Sequence, residues 1–259
     1  MKIVTRNDTV QSEIRTAAYC SLVRSYFGKF ATAHEGPQAF FVDMPGEGST
    51  ITPHFHDVDQ FQIVVRGGGR IGKKPLYPVT FHYADAYTPY GPIVGGEQGI
   101  AFFTLRAACA SGYFPMPGSR HLMRARAGRT FSGLFISVPP PAGNEVVREP
   151  LLSTADGIEV VGLRLGSAAF AAGEPADSGN QFYLVCSGSL RHKGAMIGEQ
   201  SLMLVESGEV APILEAGPEG AEVLLLQMPI PTARVGSSPG TLVQRGLSDY
   251  AIPNGVTID

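Results

Sequence analysis

Two histidines stand two residues apart, at His54 and His56, and Gln60 follows four residues after the second. On a β-strand, side chains at i and i+2 point to the same face. Both imidazoles can then look into one cavity. That begins a metal site, since imidazole suits iron, nickel, copper and zinc. A mononuclear catalytic metal takes three or four protein ligands and keeps one position open. Gln60 can supply a neutral carbonyl oxygen, and the next histidine along the chain is His82. His82 shares its alternation with Ala84 and Ala86, small residues able to line a pocket. The bland alternatives stand beside these readings. His54 and His56 can be half-exposed residues near a strand end, and Gln60 can be a hydrogen-bonding residue of the fold. Tyr83, Tyr87 and Tyr90 can offer hydroxyls or rings to a substrate, or simply pack. Arg66 is a candidate to steer an anionic substrate, as are Arg70 and Arg106, although no spacing singles them out. Asp57 and Asp59 can orient an imidazole or be solvated turn residues.

The elements that must hold these residues read as strands. Short Val/Ile/Phe runs alternate with turns rich in Gly (32 residues) and Pro (20), which points to an all-β chain. Strands are expected at 39–44, 51–56, 60–66, 79–87 and 100–105. Turns are expected at Pro45–Gly48, Gly67–Gly69 and Thr88–Pro92. Residues 1–38 read as an N-terminal arm, in which Ile14, Ala17, Ala18 and Leu22 fit a helical stripe only loosely. Residues 110–150 read as a connection, with the run Pro139–Pro141 and a basic patch over 120–129.

Composition narrows the classes. Hydrophobic residues make up 44% and charged residues 17%, enough apolar material for a sizeable core. A net charge of −3 leaves no basic excess for phosphate contacts, which argues against nucleic acid as a partner. The three cysteines, Cys20, Cys109 and Cys186, form no CxxC pair and read as free buried thiols of a reducing compartment. Residues 1–8 lack the apolar core of a signal peptide, and no apolar run nears the roughly 18–20 residues that span a membrane. The expectation is a soluble cytoplasmic protein. No serine-nucleophile elbow or phosphate loop is present.

The second half repeats the first. Gln181-Phe-Tyr-Leu-Val-Cys-Ser-Gly188 follows Gln60-Phe-Gln-Ile-Val-Val-Arg-Gly67 at an offset of 121 residues. At the same offset Gly99 falls on Gly220, and 100–105 falls on 221–226. A repeat of this kind fixes the architecture early.

Gly48, His54, His56 and Gly67 stand at the spacings of the first signature of the cupin superfamily, with Gln60 where that signature has glutamate. With the duplication, the chain resembles a bicupin. The resemblance implies two tandem antiparallel jelly-roll barrels: barrel 1 over 39–110, a linker over 111–157, barrel 2 over 158–230 and a tail over 231–259. It also implies a divalent metal in barrel 1 held by His54, His56 and Gln60. Pro89-Tyr-Gly91 matches the second signature, but Val94 stands where its histidine should be, so His82 is the candidate to complete the set. The counterparts of His54, His56 and Gln60 in the second unit are Pro175, Asp177 and Gln181, which leaves barrel 2 without an ordinary metal set. By resemblance, the expected function is a mononuclear metal-dependent enzyme of dioxygenase type acting on a small organic substrate. Iron is the first expectation, with nickel, manganese or zinc possible. The alternative is a non-catalytic small-molecule-binding or scaffold bicupin. Barrel edges and the arm make a homodimer plausible.

Overall fold

The computed structural model describes residues 1–15, 20–28, 36–123 and 128–230, with Arg15 and Cys20 described by backbone alone. His34, the Cys20 thiol, positions 124–127 of the basic patch and the tail 231–259 lie outside the described residues. These divide into two compact units, one of residues 10–134 and one that joins 1–9 to the residues from 135 onward. Among the described residues, the regular secondary structure is β-strand apart from two short 3-10 turns.

Strand β1 (Lys2–Val4) belongs to the second unit. The first unit holds β2 (Gln11–Arg15), β3 (Cys20–Phe27), β4 (Gln38–Met44), β5 (Thr50–Ile51), β6 (His54–Phe55) and β7 (Gln60–Ile71). It continues with β8 (Lys74–Leu76), β9 (Thr80–Ala84), β10 (Ile93–Arg106), β11 (Phe114–Pro115) and β12 (Thr130–Leu134). Its main sheet runs β12-β9-β7-β10-β4-β3-β2, all pairs antiparallel. The second unit adds β13 (Val146–Ser153), β14 (Glu159–Leu165), β15 (Phe170–Ala172), β16 (Gln181–His192), β17 (Ala195–Gly198), β18 (Leu202–Val205) and β19 (Ile213–Gln227). Its sheet runs β1-β18-β16-β19-β14-β13.

Two expectations about the chain's organisation are corrected. Residues 1–38 are not an arm outside the barrels. β1 pairs with β18, at Lys2↔Leu204 to Val4↔Leu202, and the β2–β3 hairpin extends the first sheet beside β4. Nor is 111–157 a linker: β11 and β12 belong to the first unit and β13 to the second. Glycine and proline inside these strands disguise them. Gly133 sits in β12 because a Cβ there would lie 2.5 Å from the Phe81 ring.

The duplication has a steric cause. Gly67 adopts φ +69°, and an added Cβ would sit 2.2 Å from the Gly99 carbonyl oxygen. Gly188 adopts φ +66°, with the same 2.2 Å approach to the carbonyl of Gly220. Each glycine lets the long strand kink against its neighbour, at a register shift near Ile100 and Ala221 respectively. The repeated glycines are therefore hinges of the barrel wall, not phosphate-binding loops.

Alternation along three neighbouring strands of the first unit builds the interior in layers. The register aligns Gln38, Arg106 and Gln60 across β4, β10 and β7. Two residues inward, Phe40, Thr104 and Gln62 align, with His82 of β9 opposite Gln62. The next layer is Val42, Phe102 and Val64, which joins an apolar cluster with Met44, Ile71 and Ile100. The interior is thus polar at the strand ends and apolar below. At the repeat offset, Gln62, Thr104 and His82 correspond to Tyr183, Leu225 and Met203. Those three lie in the packed core of the second unit. One barrel interior is filled by side chains at this level, while the other carries polar groups.

Candidate functional site

His54 and His56 lie at the strand-end layer of the first barrel, both buried, and both line one cavity of about 560 Å³. Tyr90 is tied to His54 by reciprocal backbone hydrogen bonds, His54 N to Tyr90 O at 3.1 Å and Tyr90 N to His54 O at 3.0 Å. This bridge brings the phenol over the imidazole, with ring centroids 4.6 Å apart. The two imidazoles lie 5.2 Å apart, edge to face.

Hydrogen bonding fixes the tautomers. The His54 Nδ1 lies 2.8 Å from the Thr52 carbonyl oxygen, and the His56 Nδ1 lies 2.6 Å from that of Gly112. A carbonyl can only accept, so each Nδ1 carries the proton and each Nε2 presents a lone pair. The Tyr90 hydroxyl donates to the His54 Nε2 at 2.8 Å. Arg106 Nη2 donates to the His56 Nε2 at 3.0 Å. The Gln60 amide nitrogen donates to the Tyr90 oxygen, and its carbonyl accepts from Arg106 Nε at 3.3 Å. Arg106 Nη1 donates to the Gln38 carbonyl at 3.1 Å. The result is one continuous network with Arg106 as its only formal charge.

Electrostatics support that assignment. Burial pushes the His54 pKa down to about 4, with its Thr52 bond opposing and Arg106 assisting. Burial, then Arg106, then His54 hold His56 well below the ordinary imidazole value. Burial raises the Tyr90 phenol. Both imidazoles are therefore neutral and the phenol keeps its proton. Burial also lowers the Arg106 pKa, but a guanidinium stays protonated at neutral pH.

These residues do not fit a divalent metal ion. A metal needs the Nε2 lone pairs, and a hydroxyl and a guanidinium already take them. A divalent ion 4 Å from Arg106 would meet roughly 8 kcal/mol of repulsion at an effective dielectric constant of 20. Gln60, an amide, offers no negative charge to offset it. Among the described residues, no group of three or more His, Cys, Asp or Glu side chains is placed to hold a metal ion. His82 faces the interior, but its Nδ1 lies 3.0 Å from the Ser132 hydroxyl and its ring is 5.5 Å from that of Tyr90. Its Nε2 is buried and has no hydrogen-bond partner. Val94 pairs with Thr50 and Arg70 far along β10.

The substrate candidates separate. Tyr90 lines the cavity. Tyr83 lies on the opposite face of β9, packed on Phe61 and Phe131, with its hydroxyl donating to Asp85 at 3.0 Å. Tyr87 packs near Phe55. Arg66 is half-exposed and pairs with Asp43. Period-two alternation explains Tyr83, which is out of phase with His82 on β9, whereas Arg66 is in phase with Gln60, Gln62 and Val64 and is turned outward by the register shift between Val64 and Arg66. Asp57 and Asp59 accept from the backbone N–H groups of Ser111 and Ala86, each at 3.0 Å.

Arg106 and Tyr113 are the residues that spacing alone did not assign. The repeat offset reaches Arg106: one step past Leu105 and Leu226, it lands on Gln227. In the second barrel the Gln227 amide donates to the backbone carbonyls of Gly179 and Met228, both at 2.7 Å. A cation in one copy and an amide in the other marks the site. Tyr113 carries no such signal. Its ring stacks at 4.4 Å from His54, brought there by the chain between β10 and β11.

No protein-family model and no curated protein matches the chain by sequence. Solved structures do match in shape. A bacterial pirin, YhhW from Escherichia coli, in complex with nickel(II), aligns over 88% of this chain and 99% of its own, with TM-score 0.57 and 11% identity. Oxalate decarboxylase from Bacillus subtilis, with Mn(II) centres, aligns over 89% of this chain and 78% of its own, with TM-score 0.56 and 12% identity. A Nostoc punctiforme protein provisionally assigned as a dioxygenase aligns over 92% and 87%, with TM-score 0.58 and 11% identity. At such identities the likeness concerns the fold.

Proposed function

We propose, for a chain that has the bicupin fold, that the first barrel is a small-molecule-binding chamber that works without a resident divalent metal. The observation that carries this reading is the engagement of both Nε2 atoms, by Tyr90 on His54 and by Arg106 on His56. The cavity volume suits a small organic ligand, and Phe40, Phe102, Ile51 and Val42 supply apolar wall. The packed second barrel serves as scaffold. Elemental analysis of protein purified without chelator tests the reading. The expected result is no stoichiometric transition metal, and no saturable nickel(II), manganese(II) or iron(II) binding that a His54→Ala/His56→Ala variant removes. Stoichiometric metal that this variant loses would sink it.

A second reading is a mononuclear metal-dependent enzyme of dioxygenase type. What favours it is the convergence of two imidazoles at 5.2 Å, together with the metals named for two structural neighbours. It requires Tyr90 and Arg106 to leave the Nε2 atoms before metal binds. Oxygen uptake with phenolic substrates in iron-loaded protein would support it.

A further inference from the structure

We infer that the ligand of the first barrel is a small organic carboxylate with an apolar body and a hydroxyl at its far end, bound through Arg106. The inference rests on the metal-free reading of the same site.

Arg106 lines the cavity, yet its partners are all neutral: Gln60, Gln38 and His56. Among the described residues, no carboxylate lies within ion-pair distance of it. Three of its five N–H groups are engaged in this way, which leaves two for a ligand. A half-buried cation with no ion-pair partner among the described residues is costly to fold around. The second barrel avoids that cost by placing Gln227 at the equivalent position. The guanidinium fork favours a planar carboxylate. As the one cation lining the cavity among the described residues, in a largely apolar wall, it matches a single negative charge.

The layer below supplies an independent observation. Gln62 lines the cavity and its Oε1 is a buried atom without a partner; His82, opposite it on β9, also has an unpartnered Nε2 but lines only a separate void of about 10 Å³. An orphaned polar atom in a cavity wall is a place for a ligand's polar group. A hydroxyl both donates and accepts, so it satisfies the amide in either orientation. The strand register sets this layer two residues below Arg106, about 6.6 Å along the strand. An aromatic hydroxy acid places a carboxylate and a hydroxyl on opposite ends of a rigid apolar body, the arrangement these two layers ask for.

Calorimetric titration of the full chain with 2-naphthoate, 6-hydroxy-2-naphthoate and the neutral 2-naphthamide tests the assignment. Both acids should bind with one-to-one stoichiometry, at least tenfold tighter than the amide, and the hydroxy acid tighter still. Arg106→Gln should equalise acid and amide, Arg106→Lys should restore part of the preference, and Gln62→Leu should equalise the two acids. Equal affinity of acid and amide for the unaltered protein overturns the proposal, as does the absence of carboxylate binding. That comparison decides the matter even where Arg106→Gln fails to fold. Each titration is run with chelator and with nickel(II). Carboxylate binding that requires nickel defeats the metal-free reading. Nickel-independent binding that survives Arg106→Gln intact defeats the carboxylate assignment alone.

Discussion

His54 and His56 each have one nitrogen fixed by a backbone carbonyl and the other engaged by Tyr90 or Arg106. If those two donors keep metal out, removing both should let it in. The double variant Tyr90→Phe/Arg106→Ala is expected to bind zinc(II) or nickel(II) at least tenfold more tightly than the unaltered protein, as read by calorimetry. His82 makes a second prediction at this scale. Burial, with help from Lys74, depresses its pKa to about 3, against about 6.5 in an unfolded chain. The folded state therefore binds fewer protons than the unfolded state at acid pH. Stability contributed by neutral His82 is full above pH 6.5 and is lost as pH falls toward 3. By pH 4.5 the loss is about 2 to 3 kcal/mol. Urea unfolding at pH 7 and pH 4.5 should show a smaller drop in the His82→Gln variant.

The strands set which residues meet. β4, β7 and β10 end together, so Gln38, Gln60 and Arg106 share one level, and alternation carries Gln62 and Thr104 to the next. The kinks at Gly67 and Gly188 keep this register while bending the wall. An alanine at either position would put its Cβ against a carbonyl at 2.2 Å and force φ near +70° on a residue that disfavours it. Gly67→Ala and Gly188→Ala should each cost more than about 2 kcal/mol, measured as a fall in urea midpoint. An unchanged midpoint would mean that the wall bends elsewhere. The sequence showed this pairing through the repeat, since the two glycines recur at one offset. It did not show β1, β11 or β12 as barrel strands. They are short or interrupted, and their partners are distant: β1 meets β18 some two hundred residues away. Local pattern carries no signal for such a partner.

At the scale of the molecule, the two copies have diverged in what fills them. The second is closed by Tyr183, Leu225 and Met203, and its buried charge is compensated. Glu222 accepts from Arg164 at 3.3 Å, from Ser187 at 2.8 Å and from the Val138 N–H at 3.0 Å. Glu222→Ala leaves Arg164 with Glu149 and the Ile136 carbonyl. It should destabilise the protein by about 1 to 3 kcal/mol, because the Ser187 hydroxyl and the Val138 N–H lose their acceptor and Arg164 loses one of its two carboxylates. Carboxylate affinity of the first barrel should not change. A thermal scan and one titration check both halves. The contrast between an ion pair in one copy and a cation without an ion-pair partner among the described residues in the other separates a group that holds the fold from one proposed to meet a ligand.

Sequence by itself determined the all-β class, the duplication and the convergence of His54 and His56. Those depend on period-two alternation and on glycine spacing, which are local properties of the chain. His82, Tyr83 and Arg66 show the limit of that reading. Alternation assigns a face, but not which side chain on that face meets which partner. Only the tertiary structure decided that the histidine lone pairs meet a phenol and a guanidinium. That meeting depends on the register of β10 against β7 and on the turn that carries Tyr90 back to His54, both set by contacts between residues distant in sequence. It also gave Arg106, in sequence one of three arginines that no spacing singled out, its place as the charged centre of the site.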